Sequence, residues 1–167
     1  DSESRGLGDV YKRQCLMNQN GELVYGKERT GDAAQSIHSN IYKSRPDINA
    51  VAHAHPIYGK TFSTLNKELK PITQDSCAFY KRTATFTDYD GVANGPDEGI
   101  NIAKALADKD FLILQNHGIL TTGSMVETTL WYFLNMEEAC KSQLLAEAVG
   151  AVSYTHLRAH GTRYHLV

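Results

Sequence analysis

Between Phe111 and Thr122 the chain reads FLILQNHGILTT, two short apolar runs separated only by Gln115-Asn116-His117-Gly118. Such runs read as strands, and a link this short forces the second to fold back antiparallel to the first. A hairpin is therefore expected, with His117 at its tip, where Gly118 permits the backbone geometry that aims the ring inward. A fold that contains a sheet is the expectation that follows.

Other segments fill in around that hairpin. Leu16 to Tyr25 places Asn20-Gly21 between two apolar stretches, the favoured chemistry for a tight hairpin turn. Asp32 offers an N-cap with Gln35 three residues on, Ile37 and Ile41 share a helical face, and Pro46 forces an exit, so a helix is expected from about Ala33 to Ser44. Ile48 to His55 (INAVAHAH) reads as an inner strand closed by Pro56. Tyr58, Phe62 and Leu65 give a second amphipathic helix. Short strands are expected at Ile72 to Gln74 and Ala78 to Thr87, the latter ending at the Asp90-Gly91 turn.

A third helix is expected from Pro96, with Asp97 and Glu98 in its first turn and Ile100, Ala103 and Ala107 buried. Ser124 and Glu127 form a capping box for the last helix, whose Val126, Leu130, Leu134, Cys140, Leu144 and Ala148 lie along one side before Gly150 stops it. Helices and strands interleave with short connections, which makes a layered α/β domain on one sheet the economical architecture.

Length and composition narrow the partners. A chain of 167 residues is a one-domain quantity, and 41% apolar with 22% charged residues of mixed sign is ordinary for a folded soluble protein. The formal charge of -2 gives no general attraction to nucleic acid or anionic lipid, so a small-molecule substrate is expected, with no nucleic acid and no membrane partner. No apolar run reaches bilayer length and the first residues lack a signal-peptide plan, so a cytoplasmic location is expected. Cys15, Cys77 and Cys140 are widely spaced without a CxxC, so reduced thiols are expected.

The two ends differ from the middle. Asp1 to Gln14 has no apolar period, and Val152 to Val167 has no acidic residue and three histidines, His156, His160 and His165. They read as adapter-derived, non-native sequence or as a poorly ordered native arm and tail, which leaves residues 15–151 as the domain.

The remaining histidines carry the chemistry. Side chains two apart on a strand share a face, so His53 and His55 project side by side with Cα atoms roughly 6.5 Å apart. That separation suits two imidazoles converging on one ion, although a His-x-His pair is also common as exposed or hydrogen-bonded histidines. Pro56 puts both rings at a strand's C-terminal edge, where open α/β sheets gather ligands. His117 is a candidate third ligand.

HSNIYKSRPDINAVAHAHPIYGKTFSTL, followed downstream by FLILQNHGILTTG, resembles the class II aldolase/adducin family over about Leu16 to Gly150. That family includes sugar-phosphate aldolases, a pentulose-phosphate epimerase, a thioribulose-phosphate dehydratase and decarboxylase- or oxygenase-like members. The resemblance implies a single layered α/β/α domain around a central, mostly antiparallel sheet, incomplete at its N-terminus. It also implies a divalent metal on His53, His55 and His117, Zn2+ foremost, with Fe2+, Mn2+ or Co2+ as alternatives. Three imidazoles leave coordination positions open, the arrangement of a catalytic ion. In the aldolases that ion holds adjacent oxygens of the substrate and stabilises the enediolate of carbon-carbon cleavage. A ring-like homotetramer is implied as well.

Departures from the aldolase pattern bear on substrate. The family's acid/base glutamate, one turn before His38, is replaced by Ala34, and its phosphate-binding serines correspond to Asp32 and Ala33, where an acid repels a phosphate dianion. Another group must then move protons. Asp75 is the candidate general acid/base, with Gln74 beside it in TQDS, and the alternative is a loop aspartate capping a turn. His38 either faces the site or packs against the His53 strand. Tyr80 and Tyr89 offer phenols or serve as packing residues. The expected function is a metal-dependent lyase acting by aldol cleavage or decarboxylation on a small hydroxy-carbonyl or hydroxy-acid compound. The alternatives are a non-catalytic adducin-like assembly domain and an Fe(II) oxygenase-like member.

Overall fold

A computed structural model describes residues 14–18, 20–26, 31–88 and 96–150. Tyr89, the Asp90-Gly91 turn, the leader up to residue 13 and the tail with its three histidines lie outside the described residues. The chain divides into two compact units, one drawn from Asp1–Pro46 and Asp90–Lys104, the other from Asp47–Tyr89 and Ala105–Val167.

In the first unit, β1 (Leu16–Met17) and β2 (Leu23–Tyr25) pair antiparallel with an irregular register. The turn between them uses Gly21 at a φ of 79°, and the Asn18 carboxamide accepts the amides of Asn20 and Glu22. Helix α1 (Asp32–Ser44) buries Ile37 and Ile41 as their spacing requires. Its N-cap, however, is Gly31 without a side-chain cap bond, and Asp32 lies inside the first turn. Helix α3 (Pro96–Leu106) begins at the expected proline but buries Ile102, Ala103 and Leu106. Ile100 is exposed, and Ala107 lies past the helix end at a φ of 47°. Apolar residues at both 100 and 102 make the phase of this helix ambiguous, and packing chose the second. Gly99 permits the close approach of α1, since a Cβ there would overlap Ser36.

The second unit is built on a mixed sheet in the order β3-β6-β5-β4, made of β3 (Ala50–Ala54), β4 (Thr83–Phe86), β5 (Phe111–Leu114) and β6 (Gly118–Gly123). β3 and β5 both run antiparallel to β6, while β4 runs parallel to β5 through a crossover that carries α3. Helices α2 (Ile57–Ser63) and α4 (Val126–Ala148) pack on this sheet. The core joins Phe62, Leu69, Phe79, Phe111, Ile113, Ile119, Met136, Ala139 and Cys140. The α/β fold is as expected.

Both strand expectations between α2 and β5 fail in whole or in part. Ile72 to Gln74 is not a strand, and only Thr83–Phe86 of the expected Ala78–Thr87 strand is extended, because a 3-10 helix (Asp75–Phe79) takes up the intervening chain. Local hydrogen bonding explains it: the Thr73 and Ser76 side chains exchange bonds with each other's backbone, offering that backbone an alternative to a ladder.

The predicted side of the last helix is inward only in part: Cys140 is buried and Leu144 packs against the core. The helix buries Thr129, Met136, Ala139, Cys140 and Gln143, while Val126, Leu130 and Leu134 face outward. The Ser124–Glu127 capping box is absent as well; the N-cap is Met125, with no side-chain bond. Apolar residues occur nearly all round α4, so periodicity could not select a side. The two buried polar residues are satisfied by partners remote in sequence or one turn away: Gln143 accepts from the Lys70 amide and donates to the Glu68 carbonyl, and Thr129 donates to the Met125 carbonyl.

Candidate metal centre

Antiparallel pairing of β3 with β6 sets the C-terminal end of the first beside the N-terminal start of the second, with Ala54 opposite Ile119. The end of β3 carries His53, with His55 immediately beyond it, and the residue before β6 is His117. A parallel pairing would have put these groups at opposite ends of the sheet. The hairpin tip adds the local geometry: Asn116 takes a left-handed φ of 57°, and the His117 amide donates back to the Leu114 carbonyl. Asn tolerates that region better than most residues.

Gly118 has a different role from the one its position suggests. It carries no positive φ; instead, a Cβ there would sit 2.5 Å from the Ala54 carbonyl oxygen and 3.1 Å from His55 Cδ2. The missing side chain lets β6 approach the backbone at the point where the second histidine leaves β3.

The imidazoles of His53, His55 and His117 converge, with ligand atoms all within 4.8 Å of one another. His53 Nδ1 lies 3.0 Å from the Ile119 carbonyl oxygen, which can only accept, so Nδ1 carries the hydrogen and Nε2 keeps its lone pair. That Nε2 is 3.3 Å from His117 Nε2. An ion bonded tetrahedrally at 2.0–2.1 Å to imidazole nitrogens would separate them by about 3.3–3.4 Å, so this edge already has the required length. The donor set, nitrogen-only and with one tautomer fixed by a backbone acceptor, suits a borderline divalent ion. Burial first, and the neighbouring His55 second, hold the His117 imidazole below the ordinary histidine range, which favours its neutral, metal-ready form.

Among the described residues the cluster joins the three histidines and no carboxylate. Asp75 and Gln74 are exposed, at the start of the 3-10 helix and just before it. His38 sits half-buried on α1, in the other unit, with burial lowering its proton affinity. Tyr80 follows the 3-10 helix, with the Lys81 ammonium over its ring. Trp131 is partly exposed and Phe133 packs against the core. Cys140 is a core thiol, pushed up to about 12 by burial and by Glu137, and therefore inert. Sequence reasoning missed the Ile119 carbonyl, since a backbone acceptor leaves no residue-type signal, and placed Asn116 in the turn while assigning the special backbone geometry to Gly118.

Residues 12–144 match the family described as Class II Aldolase and Adducin N-terminal domain. The chain is 40% identical over 129 residues to a 4-hydroxy-3-prenylphenylpyruvate oxygenase/4-hydroxy-3-prenylbenzoate synthase of Streptomyces roseochromogenus subsp. oscitans, covering 77% of this chain and 47% of that protein. It is equally 40% identical to the decarboxylase NovR of Streptomyces niveus, covering 77% of this chain and 48% of the relative. Among solved structures, an L-fuculose 1-phosphate aldolase from Glaciozyma antarctica PI12 superposes with a TM-score of 0.74 at 42% identity, over 82% of this chain and 53% of that one. The chain thus spans about half the length of the curated relatives it matches. With a matched family profile over most of its length and relatives at this identity, the chain belongs to the class II aldolase/adducin N-terminal domain family.

Proposed function

We propose that the protein is a zinc-dependent lyase that cleaves a carbon-carbon bond, by aldol cleavage or decarboxylation, in a small hydroxy-carbonyl or hydroxy-acid compound. The observation that carries this reading is the meeting of His53, His55 and His117 with one ligand edge already at 3.3 Å. When bound, the ion supplies Lewis acidity to substrate oxygens adjacent to the carbon that gains electron density. His53 offers Nε2 because the Ile119 carbonyl holds the proton on Nδ1. Burial first, and His55 second, lower the proton affinity of His117 and so favour its neutral form. Ala34 supplies no carboxylate, which disfavours a step that must remove a hydroxyl proton and favours loss of CO₂, which needs no such base. Asp75 is the proposed proton carrier, with Gln74 beside it. The likeness to a relative named as a decarboxylase supports the decarboxylation arm.

Zinc quantification on the wild type and His117→Ala, followed by turnover assays on hydroxy acids and phosphorylated sugars, tests the reading. The expected result is stoichiometric metal in the wild type and a loss of affinity in the variant exceeding the roughly 10- to 100-fold cost of removing an outer partner, with hydroxy acids consumed. Turnover of sugar phosphates alone would overturn the argument from Asp32, Ala33 and Ala34. A second reading, an Fe(II) oxygenase, is favoured by the likeness to a relative named as an oxygenase. Iron in protein purified without added metal, with oxygen uptake on turnover, would select it.

A further inference from the structure

The chain leaves His55, passes Pro56 and enters α2 at once. A helix start exposes amides without intrahelical partners, and α2 has neither a side-chain cap nor an acidic residue in its first turn. The acceptors come instead from α4. Glu137 takes the Tyr58 amide on Oε1 at 2.9 Å and the Gly59 amide on Oε2 at 2.6 Å. Both oxygens of one carboxylate are thereby engaged, and Lys141, one turn further along α4, lies over the Tyr58 ring.

The other end of α2 is tied to the other half of the centre. The Ser63 carbonyl accepts the Asn116 amide at 3.3 Å, and Asn116 immediately precedes His117. Midway, Gly59 lies so close to Ile119 that a Cβ would come within 2.9 Å of its side chain. Ile119 is also the residue whose carbonyl fixes the His53 tautomer. One short helix therefore connects the exit of His55, the turn of His117 and the acceptor of His53.

We propose that Glu137 is a positioning residue of the metal centre, clamping the start of α2 so that the helix sets the span between His55 and His117. This rests on the metal reading of the three histidines. A carboxylate does this where an amide does not: Gln has a single acceptor oxygen and turns an NH₂ group toward the second backbone N–H.

Zinc affinity by chelator competition and the visible absorption of the Co(II)-loaded protein test the proposal on wild type, E137Q and Q143A. Gln143 is also buried on α4 and bonds to the Glu68–Lys70 segment, so Q143A controls for general loss of stability. E137Q is expected to bind zinc ~10- to 100-fold more weakly with an altered Co(II) spectrum, while Q143A lowers the melting temperature and leaves both readouts unchanged. Wild-type affinity and spectrum in E137Q, or an equal loss in Q143A, would overturn it. A wild type that takes up neither metal would sink the metal reading itself, a separate outcome.

A measurement on the wild type alone covers the case of an E137Q variant that does not fold. Because coupling between two sites is reciprocal, zinc must slow amide hydrogen exchange at Tyr58 and Gly59 more than at Leu69 and Lys70. Unchanged exchange at Tyr58 and Gly59 on loading would refute the clamp.

Discussion

Individual side chains settle how the histidines present themselves. A strand's period of two already places His53 and His55 on one side, but which nitrogen each offers depends on neighbours that no spacing reveals. For His53 the neighbour is a backbone carbonyl across the sheet. For His117 it is partial burial beside His55, which lowers its proton affinity below the ordinary value of 6.5. The consequence for pH has a definite sign. Between the native and ordinary values the unfolded chain binds more protons than the folded one, so stability rises with pH through that window and is complete above it. His38, lowered by burial, contributes in the same direction. The midpoint of apoprotein unfolding, followed from about pH 5 to about pH 8, should rise with pH, and the rise should be shallower in His117→Ala. Metal uptake should weaken on acidification through the same window, because protons then compete for the ligand nitrogens.

Secondary-structure elements position those side chains, and here the sequence was legible in part. The FLIL and ILTT runs pair as expected, because a four-residue link and β-rich composition leave few alternatives. Helices α1 and α3 start within a residue or so of their punctuation, Asp32 and Pro96. The inward faces of α3 and α4 were legible only at Ala103, Cys140 and Leu144, since apolar residues on several sides let tertiary packing choose the rest. The same limit hid the purpose of Gly118, which serves the approach of β6 to β3 rather than a turn. Gly118→Ala should therefore push the two strands apart and cost about 1–3 kcal/mol, the range for overpacking a tight contact. Denaturant unfolding measures that cost. Zinc affinity should fall in the same variant, since the displaced groups are the Ala54 carbonyl and the His55 ring. An Ala variant as stable as the wild type, with unchanged affinity, would show that the approach is slack.

At the scale of the whole molecule, α4 leaves Val126, Leu130 and Leu134 exposed along one side, with Trp131 partly exposed beside them. No described helix is long and apolar enough to cross a membrane. We propose that this face joins copies of the chain into a homo-oligomer. A Leu130→Glu/Leu134→Glu double variant should then run at lower mass in sedimentation while keeping its circular dichroism, because neither leucine belongs to the core. Unchanged mass would remove this face from the assembly. Taken alone, the order of residues determined the α/β alternation, the strand that carries His53, the hairpin that carries His117 and the family to which the chain belongs. These follow from local periods and short links, which act over a few residues. Only the tertiary structure decided that β3 pairs antiparallel with β6, that Glu137 reaches the start of α2 and which side of α4 turns inward. Each of these is a meeting of segments tens of residues apart, selected by burial and by satisfied hydrogen bonds across the whole fold rather than by any neighbour in the chain.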